Sequence, residues 1–435
     1  MSQVVEPGES IPTGWRRRLA ALSLSPNFDR LWIGSGVSQF GSAVGVLALS
    51  LTGVLTLHAS AAQMGVLSTV ARLPWLTYPI AGVFVDRLRR QPVMIAADVL
   101  RAGLIVLVPV TAVLGLLRME VLWVVAFLAM TLGVWFDTAS SAFVPATVET
   151  EQLAGANSRL GATGSAARIA GPSVGGLVVQ VLTGPFAMLI DAASFLFSAL
   201  MIGRVRLVRP ETPPPRGSFL ADLSEGFRYL WNQPVLRALS LTGAITQFAG
   251  AGLLAINLLY LTRTLHVPAA AIGFAVSGTA PGTLVGSLVA TRVVARIGQG
   301  ATLIGGWAVF GAAALLIPLA PSDAPALAVV MVVLAGFLMG AAGQTSGIVG
   351  TTLVQSIPPP HLLGRVFAGL GFISLGVAPV GALAGGLLGS VVSLRAVMLV
   401  AALLMLTVPV LGLLTVVRHL PAQSGGAGTS PDTSD

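Results

Sequence analysis

The sequence predicts an all-α polytopic membrane protein, with twelve transmembrane helices in two six-helix halves and both termini in the cytoplasm. Three observations carry this. Of the 435 residues, 55% are hydrophobic and 9% charged, against roughly 25% charged in an ordinary soluble domain. Apolar stretches free of acidic and basic residues recur at about the 20-residue length that a bilayer demands. The basic residues between those stretches alternate from loop to loop, as the positive-inside rule requires.

In chain order the spans fall near 31–56, 61–85, 93–116, 121–144, 160–181 and 185–203, then near 236–261, 269–291, 300–319, 325–350, 366–390 and 394–417. The first 14 residues carry Glu6 and Glu9 and no apolar core, so no cleavable signal peptide is expected ahead of the first span. Residues 1–26 read as a cytoplasmic tail, 27–207 as the first bundle, 208–234 as a linker, 235–418 as the second bundle and 419–435 as a disordered tail rich in Gly, Ser, Thr and Pro. The linker holds the run Glu211-Thr212-Pro213-Pro214-Pro215-Arg216-Gly217, a semi-rigid spacer. After it, Phe219, Leu220, Leu223, Phe227 and Leu230 recur at helical spacing, which predicts an amphipathic helix on the cytoplasmic face.

All 24 basic residues are Arg. Eighteen fall on one side of the predicted spans and three, Arg118, Arg263 and Arg395, on the other. This places both termini in the cytoplasm. The net charge of +8 and the pI near 11.3 are thus a topology signal that faces anionic lipid headgroups, and no nucleic-acid partner is implied. The two halves also resemble each other. Leu57-His58-Ala59-Ser60-Ala61-Ala62-Gln63-Met64-Gly65 returns, shifted by 208 residues, as Leu265-His266-Val267-Pro268-Ala269-Ala270-Ala271-Ile272-Gly273. Such duplication of a six-span unit is a transporter architecture.

Composition removes several chemistries. Without Lys there is no G-x-x-x-x-G-K phosphate loop and no lysine Schiff base. Without Cys there is no thiolate nucleophile or cysteine-ligated metal. The four His, at 58, 266, 361 and 419, have no i, i+4 pair and lie outside every span. Neither a metal site nor a catalytic residue is expected.

The end of span two reads Gly82-Val83-Phe84-Val85-Asp86-Arg87-Leu88-Arg89-Arg90. This resembles the G-x-x-x-D-R-x-x-R loop signature of the major facilitator superfamily, matched by Gly82, Asp86, Arg87 and Arg90. The resemblance implies the major facilitator fold and makes Asp86 and its Arg neighbours gate residues that help close the cytoplasmic side. The corresponding stretch of the second half, Gly286 to Arg292, keeps the small residue and lacks the acid. In span five, Gly164, Gly171 and Gly175 share a face for close packing, and Pro172 removes a backbone donor. The core Gly171-Pro172-Ser173-Val174-Gly175-Gly176 resembles the helix-five motif of proton-driven exporters, which implies a hinge there; Ala167 stands where those often have Gly. Further stretches, among them Phe136-Asp137, Asp191-Ala192-Ala193-Ser194-Phe195 and Gly364-Arg365-Val366, are similar to the bacterial enterobactin and macrolide exporter subgroup. Two departures weaken borrowed accounts of proton coupling. Span four has no Arg between Thr131 and Ser141, and Ser42 stands where many relatives have Asp.

Ionisable groups inside a bilayer are costly and mark function by default. Here they are Arg72 and Arg168 near the midplane, Asp98 and Asp137 toward the cytoplasmic ends of spans three and four, Arg101 on the same helix face as Asp98, and Asp191 toward the outer end of span six. Asp98 and Arg101 stand three apart and are placed to pair. Asp137 and Asp191 are candidate ion-coupling acids. Arg72 and Arg168 either balance acids or attract an anionic group of a cargo. Every one of these charges belongs to the first half, so the second half is expected to supply cavity wall. Gln39, Gln247, Asn257 and Gln344 are the candidate cavity polar groups.

The leading reading is a monomeric secondary transporter in the cytoplasmic (inner) membrane. It exports a small amphipathic compound by alternating access, with no cofactor beyond an ion gradient, and the resemblance implies protons. An importer on the same fold, a non-transporting sensor or scaffold, and a membrane-embedded hydrolase are the alternatives. The last lacks H-E-x-x-H and any His within a span.

Overall fold

The computed structural model describes residues 24–77, 88–149, 152–206, 219–359 and 362–420. Gly82, Asp86 and Arg87, the proline run of the linker and most of both tails lie outside them. The described residues are almost wholly helical and contain no strand.

The first helix, α1 (Pro26–Leu51), is capped by Ser25, whose hydroxyl accepts from the Phe28 amide at 3.0 Å, with Pro26 at the first position. It runs on through a π-helical segment, Thr52–Thr56. Helix α2 (Ala61–Val70) starts with a Ser60–Gln63 capping box. The sequence predicts this helix to continue to residue 85, but the α-helix ends at Val70 and gives way to a 3₁₀ turn, Leu73–Thr77. The reason is Pro74, which disfavours the α conformation at Leu73 and lacks the next N–H donor. Then follow α3 (Arg90–Val113), α4 (Met119–Phe143), α5 (Leu153–Leu182) and α6 (Gly184–Gly203).

After the linker come α7 (Phe219–Asn232), α8 (Pro234–Arg263), α9 (Ala269–Ser277), α10 (Thr279–Leu319), α11 (Pro325–Ser356), α12 (Leu363–Val391) and α13 (Leu394–Leu414). Among the described residues, ten helices are long and apolar enough to cross a membrane. One of these, Ala271–Leu319, has 49 residues, about 70 Å at 1.5 Å per residue and more than twice the hydrocarbon thickness. It is broken inside α10 at Gly298 (φ 82°, ψ 168°), a conformation that only glycine adopts without strain. The chain turns back there.

The 208-residue shift is written into the backbone as well. His58 (φ 50°) and His266 (φ 54°) are both left-handed. The amides on either side of each bond equivalent carbonyls: Leu57 to Thr52 and Ala59 to Gly53, Leu265 to Tyr260 and Val267 to Leu261.

Packing falls into two groups. In the first, α1 lies against α5 and α6, and α3 against α4 and α6; in the second, α10 lies against α11 and α13, and α8 against α12 and α13. The two most extensive contacts between the groups are α2 with α12 and α5 with α9; α2 also touches α8, and α5 touches α10. Arg90, Arg204, Arg228, Arg292, Arg296 and Arg365 mark one end of the bundle, the arginine-rich end. Both joining contacts lie toward the other end. Gly65 of α2 and Gly386 of α12 meet backbone to backbone, so that a Cβ on either would strike the other's chain, and Thr69 Oγ1 donates to the Pro379 carbonyl at 3.1 Å. On the far side, Gly273 abuts the Pro172 carbonyl and the Ser173 and Ser277 hydroxyls share a 2.9 Å hydrogen bond. Small residues make both approaches possible.

The amphipathic segment of the linker is α7. Leu230 is buried against Leu236, Val354 and Val366, Gly226 abuts the Arg365 backbone, and Glu225 pairs with Arg365. Phe227 and Trp231 are stacked and exposed on its other face.

Candidate functional site: a charge cluster between helices three, four and six

Arg101 on α3 is the centre of the site. Its guanidinium lies over the Phe195 ring of α6, 3.9 Å from the centroid, and against α4 at Gly133, where an added Cβ would come within 3.7 Å of it. Asp137 stands one turn further along α4. Arg101 is in electrostatic reach of three carboxylates, Asp191, Asp98 and Asp137. The only one within ion-pair distance among the described residues is Asp98, at 3.8 Å. Asp98 has no exposed surface; the Ser198 hydroxyl of α6 lies beside its carboxylate, but neither oxygen receives a hydrogen bond of full geometry among the described residues. A buried charge left this incompletely paired is costly and calls for a functional reason.

Asp191 is also buried. Ser42 of α1 donates to its Oδ1 at 3.3 Å, and Ser194 donates to its backbone carbonyl at 2.7 Å. The room for this carboxylate against α1 comes from Gly41 and Gly45: a Cβ at Gly45 would occupy the carboxylate's position, and one at Gly41 would meet Ser194. Thus a carboxylate from span six lies beside Ser42 of span one.

Along the sequence, Asp98 and Asp137 belong to one end of the bundle and Asp191 to the other. In the fold they converge on one cation, because Arg101 starts near mid-helix and its long side chain bridges the depth between them. Ser42, Gly41, Gly45, Ser194 and Phe195 join the site without having been candidates. Ser42 is marked in the sequence by its departure from the family's Asp; the others have as signal only the small-residue texture of span one and the stretch around Asp191.

The other candidates are dispersed. Gly164, Gly171 and Gly175 all face α1, at Gln39, Ala43 and Val44 respectively, and Gly176 is buried. The glycine face of α5 is therefore a packing surface against α1, while Pro172 on the same helix touches α9. Residues 171–175 also spell Gly-x-Ser-x-Gly, a hydrolase pattern that requires a sharp strand-to-helix turn. Here it lies within a helix, and Ser173 bonds Ser277. Arg72 donates to the Ser68 carbonyl at 2.9 Å and to the Ser68 hydroxyl, and Arg168 to Ser165 Oγ at 3.1 Å. Asn257 is buried with its Oδ1 unpartnered among the described residues, Gln344 is half-buried and Gln247 is exposed midway along α8. Of the loop signature, Arg90 alone is described; it is buried at the start of α3. Beside it, Gln91 Nε2 donates to the carbonyls of Ile202 and Val205 at 2.8 and 2.9 Å, which ties α3 to the end of α6. No group of His and acidic residues suited to a metal ion occurs among the described residues.

Comparison with known proteins agrees with this architecture. Residues 18–429 match the family described as transmembrane secretion effector. The multidrug efflux pump Tap of Mycolicibacterium fortuitum is 28% identical over 366 residues, 81% of this chain and 87% of that protein. The macrolide efflux protein A of Streptococcus pyogenes is 28% identical over 262 residues, 57% of this chain and 63% of that one. Among solved structures, a mutant of the nucleoside transporter NupG superposes with a TM-score of 0.74 at 12% identity, covering 89% of this chain and 99% of the other. A bacterial homologue of the iron transporter ferroportin, in an inward-facing state, gives 0.69 at 17% identity over 90% and 98%. Those two likenesses concern the fold. With helices that cross the membrane many times and a family match over nearly the whole sequence, the chain belongs to the transmembrane secretion effector family and is a transporter of the major facilitator superfamily.

Proposed function

We propose that this transporter exports a small amphipathic compound in exchange for protons, by alternating access of twelve spans about a central cavity. The arginine-rich end, with both termini, faces the cytoplasm, as the eighteen-to-three distribution of Arg favours. The two contacts of α2 with α12 and α5 with α9 form the seal on the outer side, leaving a cavity that opens inward. The single observation that supports coupling is the buried cluster: one cation, Arg101, shared among Asp191, Asp98 and Asp137, with fewer hydrogen bonds than the acids can accept.

A shared cation among buried acids has two arrangements, and a proton decides between them. When Asp191 is ionised, Arg101 is drawn toward α6; when Asp191 binds a proton, Arg101 is left to Asp98 and Asp137 on α3 and α4. Because α1, α5 and α6 pack as one group, a change at Asp191 is passed through Ser42 and Gly45 to α1 and through the glycine face to α5, where Pro172 meets α9. Coupling needs such a two-state element biased from both sites. The efflux direction rests on the relatives named as efflux pumps.

Everted membrane vesicles holding the protein test this. An imposed proton gradient should drive uptake of some members of a panel of neutral, cationic and anionic amphipathic dyes. Asp191→Asn should abolish gradient-driven uptake yet keep dye-for-dye exchange, which needs no net proton movement. Full gradient-driven transport by Asp191→Asn would remove that acid from the mechanism.

A further inference from the structure

Two arginines lie inside the predicted spans and outside the cluster just described. Arg168 is exposed and Arg72 half-buried. Neither has an ion-pair partner among the described residues. Their hydrogen bonds go to neutral groups of their own segments, Ser68 for Arg72 and Ser165 for Arg168. An Arg in the hydrocarbon region that neither pairs nor reaches the interface is strongly disfavoured unless water or a ligand meets it.

Their placement is matched on the two sides of the molecule. Arg72 follows Thr69, which bonds Pro379 of the second half, by three residues. Arg168 precedes Ser173, which bonds Ser277 of the second half, by five. Span two runs toward the arginine-rich end and span five away from it. Both cations therefore stand about one helical turn from a seal, on the side facing the arginine-rich end. In the inward-opening arrangement proposed above, they stand on the two sides of the cavity's closed head. Gln39 of α1 joins Arg168: its amide oxygen and the Arg168 guanidinium both lie over Gly164, where a Cβ would strike the amide and approach Arg168 Nη1 to 3.6 Å.

We propose that Arg168 with Gln39 on one side of the cavity, and Arg72 on the other, are cargo contacts for anionic groups, carboxylates, sulfonates or phosphates, carried by an amphipathic compound. The reading rests on the inward-opening cavity proposed above. Two unneutralised guanidiniums repel a cation and bind oxyanions through forked, charge-assisted hydrogen bonds. Gln39 adds an amide donor for the same oxygens. The coupling acids do not compete, since they lie behind α1 around Arg101. The same chemistry would accept a lipid phosphate, so the lipid used must be chosen to separate the two sources.

The test uses the full chain in nanodiscs of zwitterionic phosphatidylcholine, with 5-carboxyfluorescein as the anionic probe and rhodamine 123 as the cationic one. Thermal shift should show carboxyfluorescein stabilising the wild type at concentrations at least ten-fold below any effect of rhodamine 123. Arg72→Gln and Arg168→Gln should each weaken this at least ten-fold, and Arg168→Lys should recover part of it, which a merely misfolded variant would not. Stabilisation of the wild type by added phosphatidylglycerol that is lost in Arg72→Gln and Arg168→Gln, with no Arg-dependent binding of carboxyfluorescein in phosphatidylcholine alone, would assign the site to lipid and overturn the proposal. So would a wild type that ignores carboxyfluorescein, or Gln variants that bind it as before. Arg-dependent binding without proton-driven uptake in everted vesicles would leave the subsite standing and remove the efflux reading. Proton-driven uptake of rhodamine 123 with no response to carboxyfluorescein would do the reverse.

Discussion

Arg101 is the residue on which most depends, because it is one cation serving several buried acids. Removing one partner of a buried pair leaves the other charge uncompensated, which typically costs about 3–5 kcal/mol. Arg101→Met should therefore lower thermal stability by a few kcal/mol and abolish gradient-driven transport. The double variant Arg101→Met/Asp98→Asn should recover much of the stability, since Asp98 is then no longer an unpaired charge, but none of the coupling. Additive losses in that double-mutant cycle, read by thermal denaturation, would show that Asp98 and Arg101 do not act as a pair. Gly45 is the complementary case. Its replacement by Val fills the place of the Asp191 carboxylate, so transport should fall at least ten-fold although no charge has changed.

The helices near these residues respond to a different constraint, the closeness of the two halves. Ser173 of α5 and Ser277 of α9 share a 2.9 Å hydrogen bond, and the chain has no Cys of its own. Ser173→Cys/Ser277→Cys should therefore form a single intramolecular cross-link under mild oxidation. Cross-linked protein should bind cargo from the arginine-rich side and fail to turn over, with transport restored by reductant; unimpaired turnover of the cross-linked form would mean that this contact does not open. Gly65 and Gly386 make the opposite contact, and Gly386→Leu should wedge α2 from α12. A cysteine placed at Thr69 should then become reactive to an impermeant maleimide from the arginine-poor side, whereas in the unwedged protein it should be protected. Helix α7 is held by apolar burial of Leu230 together with the Glu225–Arg365 pair. That pair is a third to two-fifths exposed on each side and contributes less than about 1 kcal/mol. Glu225→Gln should leave stability nearly unchanged, while Leu230→Asp should release the helix and make it a protease site.

For the molecule as a whole, the duplication accounts for there being two matched contacts between the halves. His58 and His266 share a left-handed backbone, and Pro172 and Pro379, 207 residues apart, each stand at a contact between the halves. Symmetry ends at the charges, because those embedded in the spans belong to the first half. The sidedness of the assembly is testable in the same Cys-free background. Single cysteines beside Arg296 and Arg204 should react with impermeant maleimide in everted vesicles and not in intact cells, and a cysteine beside Arg118 should do the reverse.

Some of this architecture follows from composition and charge placement alone: the membrane environment, the helical class, the repeat, and the residues able to carry charge through the bilayer. Those properties are local or additive, so a linear chain displays them. Pro74 shows the limit on the same local level, since the predicted unbroken second span ends as an α-helix at Val70. Convergence is another matter. That Asp191 and Asp98 approach one Arg, that glycines on α1 make room for a carboxylate from α6, and that two arginines without an ion-pair partner among the described residues each lie about one turn from a contact between the halves depend on how helices separated by scores of residues rotate and stack. Packing sets that rotation through many weak contacts at once, and no short stretch of sequence contains it.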